Sequence, residues 1–196
     1  MDDLSMRVAR IHASIGSTIE SLPNGIDARI FRTPKIHGYV CDFSDGRTDA
    51  ELANALFMIV HNIASLRDHL KEWMKRRGED PRKVNDIIRS SRPLQIITDL
   101  WNIDKHKELD RAPWSKMLPR LINIHTAGQI TAKAGQSGVW HSWSLATGKH
   151  STNSPGSMAR IVEADVVDEN GKLIGGFQSL ANLAIEAWER GCQQLA

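Results

Sequence analysis

The chain has 196 residues, 41% of them hydrophobic, with 25 Lys and Arg against 23 Asp and Glu, a net charge of +2. That is enough chain and enough apolar surface for one core burying roughly 70% of the unfolded surface, and with only two cysteines it excludes collagen-like, disordered and disulfide-framework classes. The near-neutral balance excludes a uniformly basic nucleic-acid binder, and the longest apolar run, Ala55 to Val60, is far shorter than the roughly 20 residues of a membrane span.

From the N-terminus, Leu4, Val8, Ile11, Ile15, Ile19 and Leu22 recur at three- and four-residue spacing, which predicts a helix over 2–22 stopped by Pro23-Asn24-Gly25. Residues 27–43 mix β-branched and aromatic residues with Pro34 and Gly38, predicting one or two short strands. Thr48-Asp49-Ala50-Glu51 is a capping-box sequence. The helix it starts carries the stripe Leu52, Leu56, Ile59, Ile63, Leu66, Leu70 and Trp73, and closes on Lys75-Arg76-Arg77 with Gly78 as its left-handed stop. Asp80-Pro81 predicts the start of a short helix to about Ser90. A third helical segment spans about 93–109, with Leu94, Ile97 and Trp101 on one face, and Pro93 separates the two.

Beyond Pro113 the period changes to two. Ile130, Ala132 and Ala134 alternate with polar residues in a strand over 121–134, a second strand covers 139–145, and 146–157 has loop composition. Residues 158–167 form a strand with Val162, Ala164 and Val166 on one face, and Asp168-Glu169-Asn170-Gly171 turns it into a partner over 172–177, with Asn170 and Gly171 suited to positive φ. Ser179 caps a final helix striped by Leu180, Leu183, Ala184, Ala187 and Trp188. The predicted fold class is α+β, one domain over 1–196: a helical bundle at 1–112 and 178–196 with a small antiparallel sheet inserted at 119–177 before the C-terminal helix. The N-terminus opens without a basic region leading into an apolar one, and Cys41 and Cys192 suit a reducing compartment, so a cytoplasmic location with both thiols in the core is expected.

Chemistry concentrates in the third helix. At positions i, i+3 and i+7, Asp99, Asn102 and His106 share a helical face, with Lys105 at its edge. A carboxylate, an amide and an imidazole in a row suit proton transfer or phosphate contact, because the imidazole titrates near neutrality and a partner sets its tautomer. The architectural alternative is that these residues cap and cross-link helices. The long helix adds His61, Ser65, Asp68, His69 and Glu72. His61 and His69 lie two turns apart, too far to chelate one metal, so no metal and no other cofactor is expected. If the two helices pack antiparallel, Asp68 or His69 faces Asn102 and His106.

The segment Leu100-Trp101-Asn102-Ile103-Asp104-Lys105-His106 resembles the motif helix of the HEPN superfamily, compact helical-bundle proteins whose ribonuclease members carry an Arg, a polar residue and a His. The resemblance covers about 50–110 and departs from the pattern at Trp101, where the family has its Arg. It implies a homodimer whose cleft engages RNA or a nucleotide phosphate without metal. His106 would then be the acid/base and Asn102 and Asp99 its orienting groups, with Lys105 or Arg67 taking the phosphate in the absent Arg's place. On that reading, His106→Ala abolishes metal-independent RNA cleavage.

The charges are unevenly spread. Residues 71–92 hold eight cations and four anions, and 163–190 hold six anions and two cations. The first patch suits phosphates, or is a solvated helix end complementing its dipole. A rival reading is a non-catalytic protein-interaction module using Trp140 and Trp143. Trp114 is a third surface candidate, while Trp73, Trp101 and Trp188 fall on apolar stripes.

Overall fold

The structure, a computed structural model, describes residues 3–16, 18–21, 28–32, 37–41, 46–106, 112–130, 141–143, 150–152 and 158–195. Its longest element starts where the capping box predicts. The Thr48 hydroxyl accepts from the Glu51 amide at 3.3 Å and the Glu51 carboxylate accepts from the Thr48 amide at 2.8 Å, opening α2 (Asp49–Arg76). Hydrogen bonds from the amide and then the hydroxyl of Thr48 hold the Glu51 carboxyl below its ordinary value. Gly78, at φ 73°, takes the left-handed position after the Arg77 cap. Asp80 holds the following turn by accepting from the Arg82 amide at 2.9 Å, so α3 (Lys83–Ser90) begins after that turn rather than at Pro81. Ser91 caps α4 (Arg92–Lys105), and Pro93 occupies its first turn, where a missing amide costs nothing.

The N-terminal helix is shorter than predicted. α1 (Asp3–Gly16) stops at a turn in which the amide and hydroxyl of Thr18 both donate to the Ile15 carbonyl, at 3.0 and 2.8 Å. Ile19–Ser21 then forms β1. Ile19 keeps helical spacing with Ile15, but pairing with a long strand overrides it: Ile19, Glu20 and Ser21 lie opposite Ile161, Arg160 and Ala159. Leu22 and the Pro23 turn lie outside the described residues.

That long strand, β7 (Met158–Val167), is the centre of the sheet. β4 (Arg120–Ile130) runs antiparallel along one side, and β1 and β8 (Leu173–Gly176) share the other. The β4 register breaks between Ile122 and His125, where Asn123 sits at φ 51°. Separate hairpins join β2 (Ala28–Arg32) to β3 (His37–Cys41) and β5 (His141–Trp143) to β6 (His150–Thr152). β6 falls in a stretch predicted as loop, and Ala132 and Ala134 lie outside the described residues. Between β7 and β8, Asp168 accepts from the amides of Asn170 and Lys172, and Gly171 alone of the turn takes positive φ.

α5 (Phe177–Leu195) starts two residues before the predicted Ser179 cap. Its first turn is capped from the sheet instead: Glu163 accepts from the Gln178 amide at 3.1 Å. Val162, Ala164 and Val166 of β7 face a single core shared with α1, α2, α3, α4 and α5. α4 is buried on nearly all sides, Ile96, Thr98, Asp99 and Leu100 included, rather than on the one predicted face. The fold is therefore α+β, with a small antiparallel sheet ahead of the C-terminal helix and β1 drawn in from outside 119–177. Among the described residues no helix is long and apolar enough to cross a membrane.

α5 approaches α3 so closely that a Cβ on Gly191 would lie 2.6 Å from Ile87 Cδ1 and Cγ2. Gly191→Ala is expected to lower stability by up to about 2 kcal/mol, the overpacking cost of about 1–3 kcal/mol less the roughly 1 kcal/mol gained in helix propensity. Chemical denaturation measures it, and the loss should shrink in an Ile87→Ala background, where the clashing atoms are gone.

Candidate functional site

The row predicted on α4 does not assemble. The helix ends at Lys105, and His106 is its C-cap, extended at φ −126° and ψ 123°, with its amide donating to the Asn102 carbonyl at 2.9 Å. Leaving the helix removes His106 from the face of Asp99 and Asn102, and its ring is exposed while Asn102 is half-buried. Asp99 is fully buried, and both its oxygens are taken: the amides of Trp114 and Ser115 donate to them at 2.9 and 2.7 Å. Arg92 also donates to the Ser115 carbonyl. Asp99 thus clamps the segment before β4 onto α4, and does not orient His106.

What α2 and α4 do bring together is a cationic cluster around Trp101. Its indole N–H donates to His61 Nδ1 at 3.2 Å. The Lys105 ammonium lies 4.9 Å and the Arg67 guanidinium 5.8 Å from its ring centre. With Nδ1 accepting, the neutral His61 imidazole carries its proton on Nε2, a further donor. Trp101 and Lys105 are one helical turn apart, so that pair follows from local spacing. On α2, 100° per residue puts Arg67 on the α4 side of His61 and His69 on the opposite side. Asp68 accepts from Arg67 Nε at 3.0 Å. His69 lines a small groove of about 90 Å³ against α1, together with Arg7, Arg10, His61, Asn62 and Ser65. The expected approach of His69 to Asn102 and His106 is therefore replaced by one to α1.

Positive charge is crowded here. Burial pushes the Lys71 ammonium below its ordinary value, Arg67 pushes it further, Asp68 opposes and Lys75 adds a little. The basic run at 71–92, in contrast, has half of its cations paired within the run. Its four carboxylates pair with its own arginines, Glu72 with Arg76, Glu79 with Arg77, Asp80 with Arg82 and Asp86 with Arg89. The acidic run is likewise used internally. Glu163 caps α5, Asp165 accepts from Asn123, Asp168 holds a turn, Glu169 accepts from the Leu118 amide, Glu186 pairs with Arg190 and Glu189 with His12.

Burial raises the free Cys192 thiol to about 11, so it stays protonated near neutrality and is no nucleophile. Among the described residues, no three His, Cys, Asp or Glu side chains converge as a metal site. Trp188 is core, Trp114 is half-buried beside Arg89, and the indoles of Trp140 and Trp143 lie outside the described residues. Trp101, assigned to the core by its apolar stripe, is the organiser of the cluster. Its i+4 lysine was the visible signal, while its histidine partner 40 positions away was not. Comparisons with family models, curated proteins and solved structures returned no match.

Proposed function

We propose that the α2–α4 face binds the phosphate of RNA or of a free nucleotide, and binds it without cleaving it. The observation that carries this reading is the convergence of Arg67, Lys105 and the His61 Nε2 donor around one indole. The exposed Lys105 ammonium gains only about 0.5–1 kcal/mol from the half-buried Trp101 ring, whereas the Arg67 side chain is 19% exposed and also pairs with Asp68. A charge-assisted hydrogen bond to phosphate contributes roughly 1.5–3 kcal/mol, so Lys105 exchanges the ring for the anion favourably, and Arg67 can add the donors that Asp68 leaves. Cleavage is left out because Asp99 is committed to two amides and the exposed His106 lacks it as a partner. A homodimer, implied by the HEPN resemblance, is a separate expectation that sedimentation velocity checks.

The test is quenching of Trp101 fluorescence and anisotropy of a labelled single-stranded RNA of about 12 nucleotides, with AMP and inorganic phosphate as separate titrants. Arg67→Ala should weaken RNA binding about tenfold, and each cation removed should flatten the log–log salt slope by about 0.7. Arg77→Ala is the control, since Arg77 is ion-paired to a neighbouring carboxylate as Arg67 is, but packs on Trp73 rather than Trp101. No saturable binding of any titrant at about 50 mM salt, or an equal loss in Arg77→Ala, overturns the reading.

A further inference from the structure

About 20 Å back along α4 from Lys105, a second concavity of about 370 Å³ opens between the start of α4 and the second half of α5. Its apolar lining includes Pro93, Leu183 and Ala187, and its polar lining includes Arg92, Arg190 and Gln194. Two guanidinium groups line it and no carboxylate does. Neither arginine is used up by its partner. Arg92 gives one N–H to the Ser115 carbonyl, leaving most of its five donors. Arg190 meets Glu186 only at 3.7 Å, with both side chains largely exposed, a contact worth little in water. The floor is firm, because Gly191 lets α5 sit directly against Ile87 of α3.

We propose that this cleft is a binding site for a small organic anion, a carboxylate or phosphate monoester carried on an apolar body the size of one ring or a short acyl chain. The volume is at the lower end of the roughly 300–1,000 Å³ of small-molecule pockets. The anion bridges Arg92 and Arg190, while the apolar body covers Pro93, Leu183 and Ala187. Neither group suffices alone: a bare phosphate leaves the apolar lining wet, and a neutral ring leaves the spare donors of Arg92 and Arg190 unused. The site shares no residue with the Trp101 cluster, so it stands or falls independently of RNA binding.

Amide shift perturbation of the full ¹⁵N-labelled chain tests it, with benzoate and phenyl phosphate as the two anionic probes and benzyl alcohol and inorganic phosphate as controls. At least one anionic probe should bind saturably with Kd below roughly 1 mM, moving amides of 90–94 and 183–194, and the stronger probe identifies carboxylate or phosphate as the preferred group. Arg190→Ala should weaken it about tenfold. Leu183→Trp should abolish it by filling the cleft, without burdening the fold, since Leu183 is 44% exposed. Absence of saturable shifts with both probes overturns the proposal. So does equal binding of benzyl alcohol or inorganic phosphate, or undiminished binding in both variants.

Discussion

Asp99→Ala is expected to lower the stability of the chain by about 3 kcal/mol and to leave RNA affinity of the folded protein unchanged. Two amides, those of Trp114 and Ser115, lose their acceptor in a site that water does not reach. Each stranded donor costs about 1–3 kcal/mol, partly relieved if the segment swings out. Asp99→Asn keeps one acceptor and opposes an NH₂ to the other amide, so it should lose less than alanine but still fall below the native protein. Urea unfolding gives the first quantity, and anisotropy with labelled RNA below the transition gives the second. A fall in affinity in Asp99→Asn, with stability retained, would restore this carboxylate to a functional role.

Trp188→Ala should be costlier, about 3–5 kcal/mol, a large share of the 5–15 kcal/mol that holds an ordinary domain together. The indole is 1% exposed, fills the space between α5 and α2, and donates to the Ile63 carbonyl at 3.0 Å. Trp188→Phe retains most of the volume and forfeits the hydrogen bond, so its loss should be smaller, about 1–2 kcal/mol. Far-ultraviolet circular dichroism against urea separates the two variants. Equal losses would mean that the hydrogen bond, not the packed volume, fastens α5 to the bundle.

These two tryptophan and aspartate positions were not equally legible. Trp188 lies on an apolar stripe, and its burial follows from helical periodicity alone. Asp99 sits one position from Leu100 in a run that reads as a polar row, and nothing within a helical turn marks it as a clamp. The row predicted for Asp99, Asn102 and His106 also assumed that α4 continues to about 109, whereas it stops at Lys105. The charge runs misled for a related reason. Counting residues over 71–92 weighs all eight cations alike, yet Arg76, Arg77, Arg82 and Arg89 pair with its own carboxylates, and the cations that converge from two helices are those around Trp101.

By itself the sequence determined the elements whose hydrogen bonds and stripes close within a few residues: the capping box at Thr48, the apolar faces of α2 and α5, the alternation of β7, the glycine stops at Gly78 and Gly171. Tertiary structure decided everything that depends on a distant partner. It turned Ile19 from helix to strand by pairing it with Ile161, capped α5 with Glu163 in place of Ser179, and spent Asp99 on amides 15 and 16 positions away. It also set Trp101 against His61, 40 positions earlier, and Trp188 against Ile63, 125 positions earlier. The physical reason is range. A hydrogen bond to a near neighbour is encoded in spacing, but the partner of a buried polar group is chosen only when the whole chain has packed and water has left.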